Sequence, residues 1–263
     1  MNKEPEVMGQ DKYRHEQEFW NEWVKISEDY IQRKFNYVID ENFIPLGHPW
    51  PESRKYMFDL VGDATGKDVL DCGAGTGWVS IILAKKGARE VIAIDVSDGM
   101  LAFAEKLAQM NGVGSVIQTQ NIAVEDATFE TESFDVICCS NVLHHVDLPA
   151  TLDKIHKWLK PGGRAVFCEP LANSACLTRL RNIIPIKRVG TDTERGLTLK
   201  EILQETTQFS DVTYREYQLL SRLDRVIKKE FFRKKLLTLD GWLLKHFAFL
   251  RYYARIIVFR VSK

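Results

Sequence analysis

The sequence lacks any apolar run of the roughly 18 residues that a membrane-spanning helix needs. It also lacks repeats, low-complexity segments and the apolar core of a signal peptide, since it starts with the polar stretch MNKEPEVMGQDKYRHEQ. No C-x-x-C pair occurs among its five cysteines, which are Cys72, Cys138, Cys139, Cys168 and Cys176. These absences disfavour a disulfide framework or a thiolate metal site. We therefore expect a cytoplasmic protein with reduced, buried thiols and no metal.

The 263 residues, 45% of them hydrophobic and 11% aromatic, suffice for one full domain core with an added lid. Charge is balanced overall but unevenly distributed. Residues 1–170 hold 17 Lys and Arg against 27 Asp and Glu, whereas residues 171–263 hold 19 against 9. Two interpretations stay open: the basic third packs on the acidic part, or it faces an anionic substrate or a membrane surface.

The most informative stretch is DVLDCGAGTGW, residues 68–78. Its first five residues predict a short buried strand, and three alternate glycines follow. The next segment, VSIILAKKGA, has helical spacing of apolar residues and ends with Lys and Gly. A strand, a glycine turn and a helix N-terminus in this order let backbone N–H groups approach a nucleotide-like ligand.

The spacing and one acid indicate which ligand binds there. The dinucleotide fingerprint is G-x-G-x-x-G, but here the third glycine arrives one residue early and Trp78 follows it. Asp71 ends the strand beside the turn, where a carboxylate would repel a pyrophosphate. A cationic ligand without phosphate is favoured, and S-adenosylmethionine has both an adenosine and a positive charge.

The run VLDCGAGTGW resembles the first motif of class I S-adenosylmethionine-dependent methyltransferases, and the small-molecule "type 11" branch in particular. The resemblance continues through Asp95, Phe134-Asp135, the LHH run and LKPGG, covering about residues 60–170. It implies an α/β fold: a Rossmann-like, doubly wound, seven-stranded, mostly parallel sheet with the last strand antiparallel. It also implies S-adenosyl-L-methionine as cofactor and S-adenosyl-L-homocysteine as product.

The resemblance also nominates the residues that bind the cofactor. Asp95 ends the second strand, 18 residues after Gly77, where an acid can accept hydrogen bonds from a ribose diol. Members of the family often carry Asp or Asn where Ala123 stands, so the adenine contact here comes from the backbone, from Glu125, or is absent. The cofactor-binding set that we predict is Asp71, Cys72, Gly73, Ala74, Gly75, Gly77, Asp95, Val96, Met100, Ala123, Val124 and Asn141.

Three further residues are candidate catalytic groups. His144 and His145 follow the fourth strand, and an ordinary His titrates near pH 6.5, which suits proton removal at neutral pH. Glu169 ends the fifth strand at the same edge of the sheet and is a second kind of acid or base. The alternative is that one His packs under the sheet and the other caps a helix.

Besides the first strand, the apolar patterns predict strands at Glu90–Asp95, Ser115–Thr119 and Tyr252–Val261. They also predict a turn at residues 160–163 before the fifth strand, and Ser97 as the N-cap of the helix Asp98–Met110.

We expect residues 1–60 to form a helical lid and residues 61–263 the methyltransferase domain, with lid-like insertions at about 172–196 and 221–250. The aromatic residues Phe19, Trp23, Ile26 and Tyr30 predict one packed face of the first helix. The second insertion is amphipathic and cationic, so it forms a lid wall, a dimer surface or a lipid-facing patch.

The function expected is methyl transfer to an O, N or C atom of a small, apolar metabolite such as a natural product, quinone or lipid. Methylation of nucleic acid is disfavoured, because Ser140-Asn141-Val142-Leu143 stands where the base-amino signature (Asn/Asp-Pro-Pro-Tyr/Phe) would be. A protein methyltransferase, a cofactor-binding module without transfer and, on fold alone, an NAD-dependent dehydrogenase remain alternatives.

Overall fold

The computed structural model describes residues 5–44, 51–174, 196–221 and 230–263. The predicted insertion at 172–196 and the first part of the one at 221–250 therefore fall mostly outside the described residues. The helices are α1 (Pro5–Phe35), α2 (Pro51–Val61), α3 (Trp78–Lys85), α4 (Asp98–Met110), α5 (Leu148–Trp158), α6 (Leu199–Glu205), α7 (Glu230–His246) and a 3₁₀ helix (Ala248–Tyr253). The strands are β1 (Asp68–Cys72), β2 (Glu90–Asp95), β3 (Ile117–Asn121), β4 (Phe134–Ser140), β5 (Leu159–Pro170), β6 (Asp211–Tyr217) and β7 (Ile256–Ser262).

These strands form one seven-stranded sheet in the order β3-β2-β1-β4-β5-β7-β6. The pairs among β1 to β5 are parallel, and β7 runs antiparallel to both β5 and β6. Two hydrophobic clusters lie on the sheet, one with α2, α3 and α4 and the other with α5 and α6. The predicted fold class is confirmed.

The strand order reverses at β1 and β4, which lie side by side although β2 and β3 separate them in the chain. In open parallel sheets, ligands bind beyond the carboxyl ends of the strands at such a switch point. The turn after β1 and the loop after β4 therefore define the candidate site.

Four local predictions need correction. Strand β3 begins two residues later than the predicted Ser115, because this edge strand (IQTQN) has no apolar run to mark it. Residues 252–261 are not all strand, since a 3₁₀ helix continues to Tyr253. Residues 160–163 do not form a turn before the fifth strand; they belong to β5, where the register against β4 shifts. Ile26 is 48% exposed, so it does not belong to the predicted packed face of α1, whereas Phe19, Trp23 and Tyr30 are partly buried.

The buried face of α1 is instead partly polar. It carries Glu16, Ser27 and Ile31, each at most 5% exposed. The helix packs on α4, where Asn21 contacts the first turn. Helix α2 packs on β5 and β7, so it belongs to the body of the domain.

Candidate active site

The glycine turn after β1 is built from residues that adopt the left-handed conformation. Gly73, Gly75 and Gly77 have φ angles of 65°, 52° and 72°, which glycine adopts without steric cost. A Cβ on Gly73 would lie 2.3 Å from Val142 Cγ2, and a Cβ on Gly75 would have nothing within 4 Å. The turn therefore packs tightly on the loop after β4 and leaves open space at its middle glycine.

Asp71 lies directly beneath this turn and is 2% exposed. Its Oδ2 accepts hydrogen bonds from Ser80 N (3.1 Å) and from Ser80 Oγ (2.6 Å), so it is tied to the first turn of α3. Burial raises the pKa of Asp71 to about 7, against the two hydrogen bonds from Ser80 and with help from the charge of Asp95. Near neutral pH this carboxyl is therefore only partly ionised in the protein alone.

Asp95 lies across the same turn, at the end of β2. Its Oδ2 accepts a hydrogen bond from Gly75 N (2.8 Å) and its Oδ1 one from Ser97 N (2.9 Å). Burial raises the pKa of Asp95 in spite of these bonds, and the charge of Glu16 raises it further. The pKa of each aspartate is thus raised by a neighbouring carboxylate: that of Asp71 by Asp95, and that of Asp95 by Glu16.

This donor set fits S-adenosylmethionine, because a cation relieves the mutual repulsion of Asp71 and Asp95. The open space at Gly75 gives the ligand room beside both carboxylates. A pyrophosphate would add negative charge to a crevice that already contains two carboxylates, which would repel it. The chemistry of the site therefore agrees with the predicted cofactor and disfavours a dinucleotide.

The remaining predicted cofactor residues lie around this turn. Ala74 N donates to Ile94 O (3.0 Å), and Met100 N donates to Oγ of Ser97, the N-cap of α4 (3.0 Å). Asn141 has a φ of 61° at the start of the loop after β4. The side chains that are at most 8% exposed, and so shape the crevice mainly from below, are Cys72, Ala74, Met100, Ala123 and Val124; Val96 is half-buried.

The four described cysteines are all buried and free, as expected. Burial raises the pKa of Cys168 to about 12 and that of Cys138 and Cys139 well above the ordinary value. These thiols are therefore not ionised near neutral pH and do not act as nucleophiles. Cys176 lies outside the described residues.

Two carboxylate–imidazole pairs stand side by side at the candidate site. His144 Nδ1 lies 2.8 Å from Glu169 Oε2, and His145 Nδ1 lies 3.2 Å from Glu16 Oε1. The two rings are in contact, with centroids 4.1 Å apart. A carboxylate at Nδ1 favours the tautomer that carries its proton there and leaves Nε2 as the basic nitrogen.

The two pairs differ in what else holds them. Glu169 is fully buried, and its Oε1 accepts hydrogen bonds from Val142 N (2.8 Å) and Leu143 N (3.1 Å). It therefore anchors the loop after β4 and the His144 ring together. The side chain of His145 is 14% exposed against 6% for that of His144, so His145 is the more accessible imidazole.

Sequence reasoning missed the contribution of α1 to this site. Glu16 is 4% exposed and also accepts a hydrogen bond from Trp20 Nε1 (3.1 Å). Asn21 Oδ1 accepts from Ser97 Oγ (2.6 Å), and Tyr13 donates to Glu125 Oε2 (2.5 Å). In the sequence, Glu16 is only a charged residue on an amphipathic helix, and such a residue is ordinarily exposed to solvent.

The carboxylate of Glu125 is engaged within the protein. Besides Tyr13, it accepts a hydrogen bond from Asp147 N (3.0 Å) through Oε1. Burial raises the pKa of Tyr13, and Glu125 raises it further, so the phenol stays protonated and keeps donating. Of the sources open for an adenine contact at this position, the backbone is therefore favoured over Glu125.

The buried Asp71 makes a prediction about stability. A carboxyl whose folded pKa lies above its unfolded value binds a proton more tightly when folded, so stability falls as pH rises between about 4 and 7. The variant Asp71→Asn has no carboxyl that titrates at this position, so it does not lose stability in this way. Its free energy of unfolding should gain on that of the wild type between pH 5 and pH 8, by about 2.5 kcal/mol.

Urea unfolding at pH 5, 6, 7 and 8 measures this difference. The matched control is Asp211→Asn, which removes an exposed carboxyl whose pKa its hydrogen bond with Arg260 lowers. Because Asp211 stays ionised throughout this range in both states, its variant should differ from the wild type by a constant amount. A constant difference for Asp71→Asn as well would contradict the raised pKa.

The chain is similar to known proteins over much of its length. Residues 70–167 match the family described as "Methyltransferase domain". Phosphoethanolamine N-methyltransferase 3 of Arabidopsis thaliana is 27% identical over 201 residues, which cover 72% of this chain and 40% of that protein. The ubiquinone biosynthesis O-methyltransferase of Acinetobacter baumannii is 32% identical over 126 residues, 48% of this chain and 53% of the relative.

Among solved structures, the geranyl diphosphate C-methyltransferase of Streptomyces coelicolor A3(2), in complex with Mg²⁺, geranyl diphosphate and S-adenosyl-L-homocysteine, superposes with a TM-score of 0.59. The two chains are 12% identical, and the match covers 80% of this chain and 77% of the other. At this identity the likeness is one of fold.

Fold, glycine turn and family match agree: residues 70–167 match a methyltransferase domain, and they lie on a sheet of the class I, S-adenosylmethionine-dependent type. The predicted family is confirmed. The chain spans about half or less of the length of the curated relatives above, which are named for methyl transfer to a nitrogen and to an oxygen.

Proposed function

We propose that this protein transfers a methyl group from S-adenosylmethionine to an O, N or C atom of a small, apolar molecule. The observation that carries the proposal is the pair of carboxylates, the buried Asp71 and the half-buried Asp95, on either side of a glycine turn with open space at its centre. Such a crevice suits a cation that carries an adenosine and no phosphate.

The bound cofactor would supply a methyl group on a sulfonium, an activated leaving group. The protein's own part is then to align the acceptor, exclude water and, where the acceptor is a hydroxyl or an acidic carbon, remove a proton. Asp95 would hold the ribose hydroxyls, and Asp71 would balance the positive charge. Gly73, Gly75 and Gly77 keep the turn free of side chains.

We assign proton removal to His145 and a positioning role to Glu16 and Glu169. With Glu16 at Nδ1, Nε2 of His145 is the basic nitrogen and takes the proton. Glu16 then stabilises the imidazolium that forms. Glu169 keeps the loop and His144 in place and, being fully buried, does not reach an acceptor in this conformation.

The placement of α1 favours a small acceptor over a macromolecule. Its residues bond to the segments that follow three strands at the same edge of the sheet: Asn21 to Asp98 after β2, Tyr13 to Glu125 after β3 and Glu16 to His145 after β4. A helix fixed to these loops leaves little room for a nucleic-acid strand or a protein surface.

Two measurements test the proposal. In calorimetric titration, the full chain should bind S-adenosylmethionine and S-adenosylhomocysteine and ignore NAD. The chain incubated with methyl-labelled cofactor and a metabolite extract should produce a labelled small molecule, identified by mass. Binding of NAD without the sulfonium compound would overturn the cofactor assignment, and label found only in nucleic acid or protein would overturn the acceptor class.

A further inference from the structure

The exposed large hydrophobic side chains of the described residues are concentrated in one segment. Eight of the twelve lie between residues 231 and 253, whereas single exposed apolar residues are ordinarily scattered. We call this segment of α7 and the 3₁₀ helix the aromatic–basic surface. Its exposed side chains are Phe231, Phe232, Leu239, Trp242, Phe247, Phe249, Tyr252 and Tyr253, each exposed by 40% or more.

The surface is held in a fixed orientation. On the inner side of α7, Asp240 is 4% exposed and accepts hydrogen bonds from Leu219 N (2.9 Å), Leu220 N (2.7 Å) and Ser221 N (2.9 Å). Leu244, one helical turn later, is also buried. At 100° per residue, Trp242 lies on the opposite side of the helix. The aromatic side chains therefore face outward because the other face is anchored.

The same segment is cationic. Residues 231–253 contain five Lys or Arg, and their one acid is the buried, hydrogen-bonded Asp240. Lys235 Nζ lies 4.4 Å from the centroid of the Phe231 ring, so positive charge and aromatic surface are intermixed. A depression of about 470 Å³ on the outer face is lined by Lys234, Lys235, Thr238, Leu239 and Trp242.

We propose that the aromatic–basic surface binds the interface of an anionic lipid bilayer. Aromatic side chains partition to the headgroup level of a membrane, and Lys and Arg beside them attract anionic headgroups. In the described part of the chain, no helix has the length and apolarity to span a bilayer, so the attachment is peripheral.

The other occupants of such a surface fit less well. A symmetric pairing of two copies would bring the basic side chains of the two surfaces together, and like charges across an interface are costly. Interfaces with nucleic acid are more polar than those between proteins, whereas this surface exposes eight large apolar or aromatic side chains. Outward-facing side chains such as Leu239 and Phe249 would gain little from phosphate contacts.

The aromatic–basic surface lies near the carboxyl end of β5, on the side of the sheet where the candidate active site lies. Tyr252 donates a hydrogen bond to Asn173 O (2.5 Å), and Leu171 N donates to Arg255 O (2.6 Å). Both contacts are within four residues of Glu169 along the chain. A lipid-soluble acceptor would thus enter from the bilayer, a consequence that rests on the proposed function, whereas lipid binding itself does not.

Sedimentation of the full chain with vesicles tests the proposal without cofactor or acceptor. Vesicles of phosphatidylcholine with phosphatidylglycerol should pellet the protein at low salt, and phosphatidylcholine alone should not. The double variant Lys235→Glu, Lys245→Glu should bind at least tenfold more weakly, because each basic residue near the surface contributes measurably to attraction. The double variant Phe231→Ala, Phe249→Ala should also bind at least tenfold more weakly, and at every salt concentration.

Matched controls change the same residue types elsewhere. Lys55 and Lys157 are exposed, so Lys55→Glu, Lys157→Glu should bind as the wild type does. Val38 and Met110 are each 53% exposed, and their double Ala variant should also bind normally. Absence of pelleting with anionic vesicles overturns the proposal. The proposal is also overturned if the chain binds no vesicles and instead forms a dimer, or a complex with an oligonucleotide, that the double variant Phe231→Ala, Phe249→Ala abolishes.

Discussion

Replacing His145 by Gln should lower the rate of methyl transfer by about 10²–10⁴-fold for an acceptor that must lose a proton. The amide keeps the polar contact with Glu16 but has no nitrogen that can take a proton near neutral pH. Single-turnover measurements separate this chemical step from binding. The affinity for the cofactor, measured by calorimetry, should change by less than about twofold, because His145 acts on the acceptor side.

Glu16 gives this prediction a second readout. With Glu16→Gln, the imidazolium of His145 loses the negative charge that stabilises it, so the pKa of the ring falls. The acid limb of the pH–rate profile should therefore move to lower pH, and the maximal rate should fall less than in His145→Gln. A purely structural role for Glu16 would reduce the rate at all pH values without moving the limb.

The neighbouring histidines provide the controls. His144→Gln replaces the buried ring that pairs with Glu169, so it should lower the unfolding temperature while the rate per folded molecule stays close to that of the wild type. His156→Gln, at a ring that packs on Phe209 away from the site, should leave the rate unchanged. Full activity in His145→Gln together with an inactive, stable His144→Gln would assign the base to His144 instead.

The parts of the fold that could be predicted are those whose sequence pattern follows from burial on both faces. The bounds predicted for β1 and β2 agree with the structure because both have apolar residues in their middle and an acid at or next to their last residue. The N-cap Ser97 was also predictable, since its side chain accepts from Met100 N, a local contact. Edge strand β3 has no such pattern, and its prediction shifted by two residues.

The parts of the site that could not be predicted depend on contacts between distant residues. Glu16 and His145 are 129 positions apart, and no local spacing links them. The aromatic residues of α1 suggested an apolar packed face, but this helix meets the body of the domain at a polar crevice. Its buried face therefore includes Glu16 and Ser27, and hydrophobic periodicity does not detect buried polar residues.

These missed contacts also explain why the site is more acidic than the motifs alone suggest. The motif residues Asp71 and Asp95 are joined by Glu16, whose charge raises the pKa of Asp95. The protein without its cofactor therefore holds carboxylates that repel one another. Binding of a cation and ionisation of these groups should favour each other.

The affinity for S-adenosylmethionine should consequently depend on pH through Asp71, whose pKa in the free protein is about 7. Below that pH the group is protonated, and a bound cation favours its ionised form, so binding releases a proton. For one such group, the dissociation constant should rise about tenfold from pH 8 to pH 6. Calorimetry in buffers of different ionisation enthalpy should detect the released proton directly.

The variant Asp71→Asn isolates this effect. It should bind the cofactor more weakly than the wild type at pH 8, because one charge is missing, and the two affinities should converge as the pH falls to 6. Any titration of the ligand's own amino group acts on both proteins alike, so the ratio of the two dissociation constants reports Asp71 alone. A ratio that stays constant between pH 6 and pH 8 would show that Asp71 does not balance the charge of the cofactor.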